Sequence, residues 1–144
     1  MGDQLMAATT TLTQLSDIRD QAAAALEPQG PDDPDVLVDV VDSLYPPVLM
    51  LLWDDPWLTP EVGRRPTMGP CGWTARLQVL CVAGRLEPGP GIRTLEELVA
   101  YTVGHMKADL YTWPLEGVSA PRVFEIASIA YLGARVTYAV PITV

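Results

Sequence analysis

The side chains able to do chemistry are few and scattered. His105 is the single histidine among 144 residues, and Cys71 and Cys81 are the two cysteines. Two thiols ten residues apart, with one distant imidazole, fit no zinc-ligand spacing. His105 falls beside Met106 in a helical apolar pattern, without a Cys or Asp motif nearby, so it is expected to pack and not to catalyse. Cys81 lies in an apolar strand pattern and is expected to be a small buried hydrophobe. Cys71, in a Pro/Gly stretch, is expected to be a free thiol. No Gly-x-Ser-x-Gly elbow, P-loop or dinucleotide fingerprint is present. Acid–base hydrolysis of a glycoside needs two carboxylates in separated environments. The pairs Asp32-Asp33 and Asp54-Asp55 are sequence neighbours, which on extended chain point apart, and in Glu96-Glu97 the second acid is expected to cap a helix. Asp32, Asp33 and Asp35 lack the spacing of a calcium loop. The expectation is a protein with no catalytic residues, no metal and no cofactor.

What the chain has in place of reactive clusters is charge and tryptophan. Its net charge is -9, which through repulsion from phosphates disfavours non-specific nucleic-acid binding. The charge is uneven. Met1 to Val62 holds twelve acids and one base, Arg19, whereas six acids face eight bases from Gly63 onward. Either this serves solubility alone, or an acidic surface meets a basic partner or repels DNA. Trp53, Trp57, Trp73 and Trp113 flank or sit within apparent loops. Trp57 stands beside Asp54 and Asp55 and close to Glu61, Arg64 and Arg65 in a Pro-rich stretch. Tryptophan and arginine bury much area while keeping polar contacts, so these six residues form the candidate interface.

One domain is expected from the length. A hydrophobic content of 49% against 19% charged is enough for a core without disulfides or metal. The longest purely apolar run, Val48 to Trp53, is too short to span a bilayer, and Asp3 stands where a signal peptide would be basic. A soluble intracellular origin is expected. Residues 1–10 carry no periodicity and are expected to be mobile.

The elements that must carry these residues follow from periodicity. Thr11 and Gln14 read as a capping box, and Leu12, Leu15, Ile18, Ala22 and Leu26 predict a first helix from about Leu12 to Leu26. A Pro/Asp-rich linker covers 27–35. Alternation predicts a strand from Val36 to Val41, ended by Pro46-Pro47, then a strand over Val48–Trp53 buried on both faces. Trp53 to Trp73 reads as a long central loop, of the kind that is functional in a compact domain. A strand over Trp73–Ala83 and a turn over Gly84–Gly91 follow. Thr94 and Glu97 read as a second capping box, opening a helix from Leu95 to Tyr111 whose stripe is Leu95, Leu98, Val99, Val103, Met106 and Leu110. Arg122–Tyr131 reads as a strand and Leu132-Gly133 as a tight turn. Alternation from Arg135 to Val144 gives the clearest strand, with Pro141 near an edge or bulge. The whole predicts an α+β fold: about five mostly antiparallel strands with two helices packed on one face.

In layout the chain resembles the tail terminator proteins of long-tailed bacteriophages. The likeness runs through an N-terminal helix, a break such as Tyr45-Pro46-Pro47-Val48, and a strand such as Ala75-Arg76-Leu77-Gln78-Val79. An amphipathic helix follows, then a closing strand pair such as Ile129-Ala130-Tyr131-Leu132-Gly133 and Val136-Thr137-Tyr138-Ala139-Val140. It covers nearly the whole chain, without an invariant motif, and the 27–35 linker and central loop depart from it. The resemblance implies a hexameric ring in the virion, assembled in the host cytoplasm. The ring caps the tail tube protein and joins the head-tail stopper or neck protein, away from any membrane. DNA would pass through it without specific binding. On that reading Asp32, Asp33, Asp35 and Asp39 are the candidate channel-facing acids. A head-tail stopper or head-completion protein, or an acidic DNA-mimic inhibitor, are the alternatives.

Overall fold

The computed structural model describes residues 11–38, 44–60, 72–85 and 91–143. Two helices pack on one face of a six-stranded, mostly antiparallel mixed sheet. In chain order the elements are α1 (Thr11–Leu26), β1 (Asp35–Leu37), β2 (Val48–Pro60), β3 (Gly72–Arg85), α2 (Ile92–Asp109), β4 (Leu115–Val118), β5 (Arg122–Ile126) and β6 (Ile129–Thr143). The sheet runs β1-β2-β3-β6-β4, and β5 pairs with the first part of β6. Among the described residues only the β1–β2 pair is parallel. Among the described residues no helix is long and apolar enough to cross a membrane.

The long strands β2, β3 and β6 form the middle because their side chains are apolar in both directions. Val48 to Leu51 are all buried, as a strand covered on both faces requires. On the helix side, Leu49, Leu51, Leu77, Val79, Cys81, Val136, Tyr138 and Val140 meet Leu15, Ile18, Ala22, Ala25 and Leu26 of α1. Leu95, Leu98 and Met106 of α2 join the same core. On the other side a smaller cluster gathers Leu44, Val48, Met50, Leu80, Val82 and Tyr131. No helix covers it among the described residues.

Several boundaries differ from expectation. The helix α2 begins three residues earlier than expected, with Gly91 as N-cap and no side-chain cap bond, so Thr94 and Glu97 are not a capping box. Thr94 lies in the first turn, its N–H bonded to Gly91 O at 3.1 Å. The buried stripe of α2 is Leu95, Leu98, Thr102 and Met106; Thr102 qualifies because its hydroxyl is satisfied by Leu98 O at 2.9 Å. The capping role expected of Thr11 falls on side chains outside those described. The linker ends in a turn in which Asp33 accepts the N–H groups of Gln29 and Gly30 at 2.8 and 3.0 Å, and Pro34 is buried.

The hairpin near the C-terminus corrects a second expectation. Its turn is Ala127-Ser128, both at positive φ (51° and 66°), and Leu132-Gly133 lies inside β6. Two successive positive-φ residues match the twist of a two-residue hairpin. Gly133 has another reason to be glycine. A Cβ there would stand 2.7 Å from Cys81 O and 3.1 Å from the Phe124 ring, so the neighbouring backbone and ring occupy its place. The sixth strand, β4, was not expected; its residues are all exposed and Gly117 interrupts any alternation. Pro141 sits where β6 has outrun β4, whose pairing ends at Tyr138.

Candidate functional site

Where it is described, the expected central loop is strand, and residues 61–71 of it lie outside the described residues. Asp54, Asp55 and Trp57 belong to β2, which continues to Pro60, and β3 begins at Gly72. Between Trp53 and Leu58 the register with β3 shifts, so β2 bulges there. Within this bulge Trp57 stacks on Trp53 with ring centroids 5.2 Å apart and remains 41% exposed. Asp54 turns back to accept the Asp55 N–H at 2.7 Å. Glu61, Arg64, Arg65 and Cys71 lie outside the described residues, as does Asp39. Three of the six candidate interface residues are therefore placed together, and they lie on a bulged strand.

Of the reactive groups singled out in the sequence, His105 and Cys81 sit in packing roles, and Cys71 lies outside the described residues. His105 is half-buried on α2, its Nδ1 2.9 Å from Tyr101 O and its ring stacked on Tyr101 at 3.9 Å. Tyr101 in turn donates its hydroxyl to Leu26 O at 3.0 Å, satisfying a carbonyl at the end of α1. Burial, and secondarily the charge of Asp33, raise the Tyr101 phenol above its ordinary value. Cys81 is fully buried, and burial pushes its thiol up to about 11 against a small opposing effect of Thr102 at 3.5 Å. A thiol held protonated is a poor nucleophile. Burial likewise pushes the Tyr138 phenol up to about 12. Among the described residues no three His, Cys, Asp or Glu side chains gather as a metal site would require.

The structure does bring together residues that sequence reasoning left apart. On β6, Arg135 shares a face with Gly133, which pairs with Arg122 of β5; on β3, Arg76 lies on that same helix-free face, opposite Ala139. Arg135 rests on the Phe124 ring, its guanidinium carbon 5.0 Å from the centroid. Ser119 brackets Arg135, donating its N–H to Arg135 O at 2.8 Å and accepting the Arg135 N–H at 2.9 Å. Arg76 pairs with Glu116 of β4 at 3.3 Å. The Nε atoms of Arg76 and Arg135 are both buried without a hydrogen-bond partner among the described residues. A buried unpaired donor costs about 1–3 kcal/mol, so this end of the sheet holds arginines at a local expense in stability. The signal available in the sequence was the alternation: Arg76 and Arg135 occupy the outward phase of β3 and β6, and Arg122 that of β5.

The acids gather at the other end. Glu27, Asp32 and Asp35 are exposed around the turn that leads into β1, the opposite edge of the sheet, and Asp33 is engaged in that turn. From Thr11 to Pro60 the described residues hold eight acids and one base, Arg19; from Gly72 to Thr143 they hold five acids and six bases. An apolar groove of about 320 Å³ runs between α2 and β4, lined by Ile92, Leu95, Val99, Val103, Val118 and Pro121 among others. The larger hollow, about 530 Å³, lies between α1 and β1 at the acidic end. Among the described residues that line them, no nucleophile is hydrogen-bonded to a side-chain base. No protein-family model matches the chain, and no curated protein matches it.

Proposed function

We propose that this chain is a structural subunit of a long-tailed bacteriophage, a tail terminator that closes into a sixfold ring. The ring caps the tail tube and joins it to the head-tail connector. What carries the proposal is the unlikeness of the two ends of the sheet: exposed acids surround the turn into β1, whereas Arg135 on β6 and Arg122 on β5 lie toward the other end, and among the described residues the outer strands β1 and β4 each pair on one side alone. Two different, complementary surfaces make heterologous contacts, which close into a ring or grow as a filament. The order of elements along nearly the whole chain, similar to that of tail terminators, supports the choice of ring. The function is contact and not catalysis, in keeping with reactive side chains that are spent on packing.

The test uses the tail tube protein encoded in the same genome. Added to polymerising tubes, the purified chain should stop their growth and leave a ring at one end in electron micrographs. Tubes that grow on unchecked with bare ends would overturn the assignment. Binding to the connector alone, with no effect on tubes, would reassign the chain as a head-tail stopper.

A further inference from the structure

We propose that the helix-free face at the β4–β5–β6 end docks the acidic turn from Glu27 to Asp35 of a second copy of this chain. The choice of a second copy as occupant rests on the ring-forming function proposed above. The surfaces come from the structure. Arg76, Arg122 and Arg135 line one face, and Glu116, bound to Arg76, is the acid seen among them. Arg76 and Arg135 are pinned: their Nε atoms are covered, one guanidinium is clamped by Glu116 and the other lies on Phe124. Side chains already fixed lose less freedom when a carboxylate arrives. Arg122 is exposed on β5 opposite Gly133, two residues along β6 from Arg135, while Arg76 lies further along the same face, opposite Ala139.

The acids are equally prepared. Glu27, Asp32 and Asp35 are exposed and make no ion pair among the described residues. Asp33 fixes the turn that presents them by accepting two backbone N–H groups. A chain cannot satisfy its own arginines with these acids. They flank β1; Arg76 on β3 lies two strand spacings away, about 10 Å, and is already paired with Glu116, and Arg135 on β6 lies three spacings away, about 14 Å across the sheet. The pairing must be between copies, and each copy retains one surface of each kind for the next neighbour. Acids engaged in this joint do not line a channel, so Asp32 and Asp35 take a different role from the one the family resemblance implies. DNA is a poorer occupant of the arginine face, because the chain carries a net charge of -9.

Asp32→Lys and Arg122→Glu alter exposed side chains on opposite ends, and sedimentation measures the outcome. The wild-type chain should exceed its monomer mass of 15.6 kDa at low salt and dissociate as salt rises, since opposed surface charges are screened beyond roughly 10 Å at 0.1 M. Each single reversal should weaken self-association at least tenfold while leaving the melting temperature in place. Mixing the two variants should restore assembly, because natural and reversed contacts then alternate, and the double variant should assemble alone. A wild-type chain that is monomeric at every salt concentration would overturn the proposal. So would single reversals without effect, mixing without recovery, or retention of a duplex DNA fragment by the arginine face in place of a second copy. The two proposals fail separately. Assembly that obeys charge reversal without stopping tube growth would sink only the tail function. Tube capping by a chain indifferent to charge reversal would sink only this contact.

Discussion

The two faces of the sheet are built to different ends. The helix-covered face buries a long row from Leu49 and Leu51 through Leu77, Val79 and Cys81 to Val136, Tyr138 and Val140 beneath two helices. The helix-free face closes over a short cluster around Met50, Leu80, Val82 and Tyr131, then turns polar toward Arg135 and Arg76. The first face holds the fold together. The second carries Arg76 and Arg135, whose buried Nε donors have no partner within the described residues. On the contact proposed above, stability and contact would be divided between opposite sides of the same three strands.

The largest expected effect tests that division directly. Leu77 is fully buried under the helices, whereas Leu80 belongs to the small cluster. Leu77→Ala should cost about 3–5 kcal/mol, and Leu80→Ala nearer to about 2 kcal/mol, as measured by denaturant unfolding. Equal losses would mean that the helix-free face is as much a core as the other.

Alkali should unsettle the helix-covered face next. The Cys81 thiol is raised from 9.0 to about 11 by burial, so the folded chain keeps a proton that the unfolded chain releases. Stability from this group is complete below pH 9 and is lost as the pH climbs toward 11. At about 1.4 kcal/mol per unit the loss amounts to roughly 2–3 kcal/mol. Tyr138 adds a similar fall that begins nearer pH 10. Unfolding measured between pH 8 and 11 should show the decline starting near 9 in the wild type and only near 10 in Cys81→Ala. An unchanged pH profile in that variant would contradict the assigned cause.

Two smaller effects sharpen the comparison. Gly133→Ala places a methyl group against Cys81 O and the Phe124 ring, which should cost about 1–3 kcal/mol and shift the ring beneath Arg135. A ring-current change at Arg135 in NMR spectra would report that shift. Tyr101→Phe removes the hydroxyl that satisfies Leu26 O, for an expected loss of about 0.5–1.5 kcal/mol, with faster amide exchange near the end of α1.

Much of the fold was legible from period alone. Both helices, the doubly buried Val48–Leu51 run and the long final strand announce themselves because burial and polarity alternate with the geometry of each element. The rest was hidden for identifiable reasons. Strand β4 lies exposed at an edge, so it carries no buried phase to read. Gly133 has the sequence signature of a turn, but its missing side chain serves a close approach between strands. The prolines at 56 and 60 suggested loop, yet β2 carries them through a bulge and at its end, where ladder donors are dispensable. The arginine face was invisible because Arg76, Arg122 and Arg135 are far apart in sequence and come to share one face only through the pairing of β3, β6 and β5. Glu61, Arg64 and Arg65, three of the interface candidates, lie outside the described residues, so the stretch that joins β2 to β3 keeps the standing it had from sequence.

The central claim is that unlike ends of neighbouring copies meet, and a cross-link between them tests it most directly. In a Cys71→Ser background, Asp32→Cys and Arg122→Cys can be placed in one chain or in separate chains, while Cys81 stays buried. On mild oxidation the separate variants should link to each other when mixed and hardly at all when alone. The chain carrying both should give a covalent ladder that ends in a closed ring. Homodimers formed equally by each single variant, or no link in the mixture, would contradict the account.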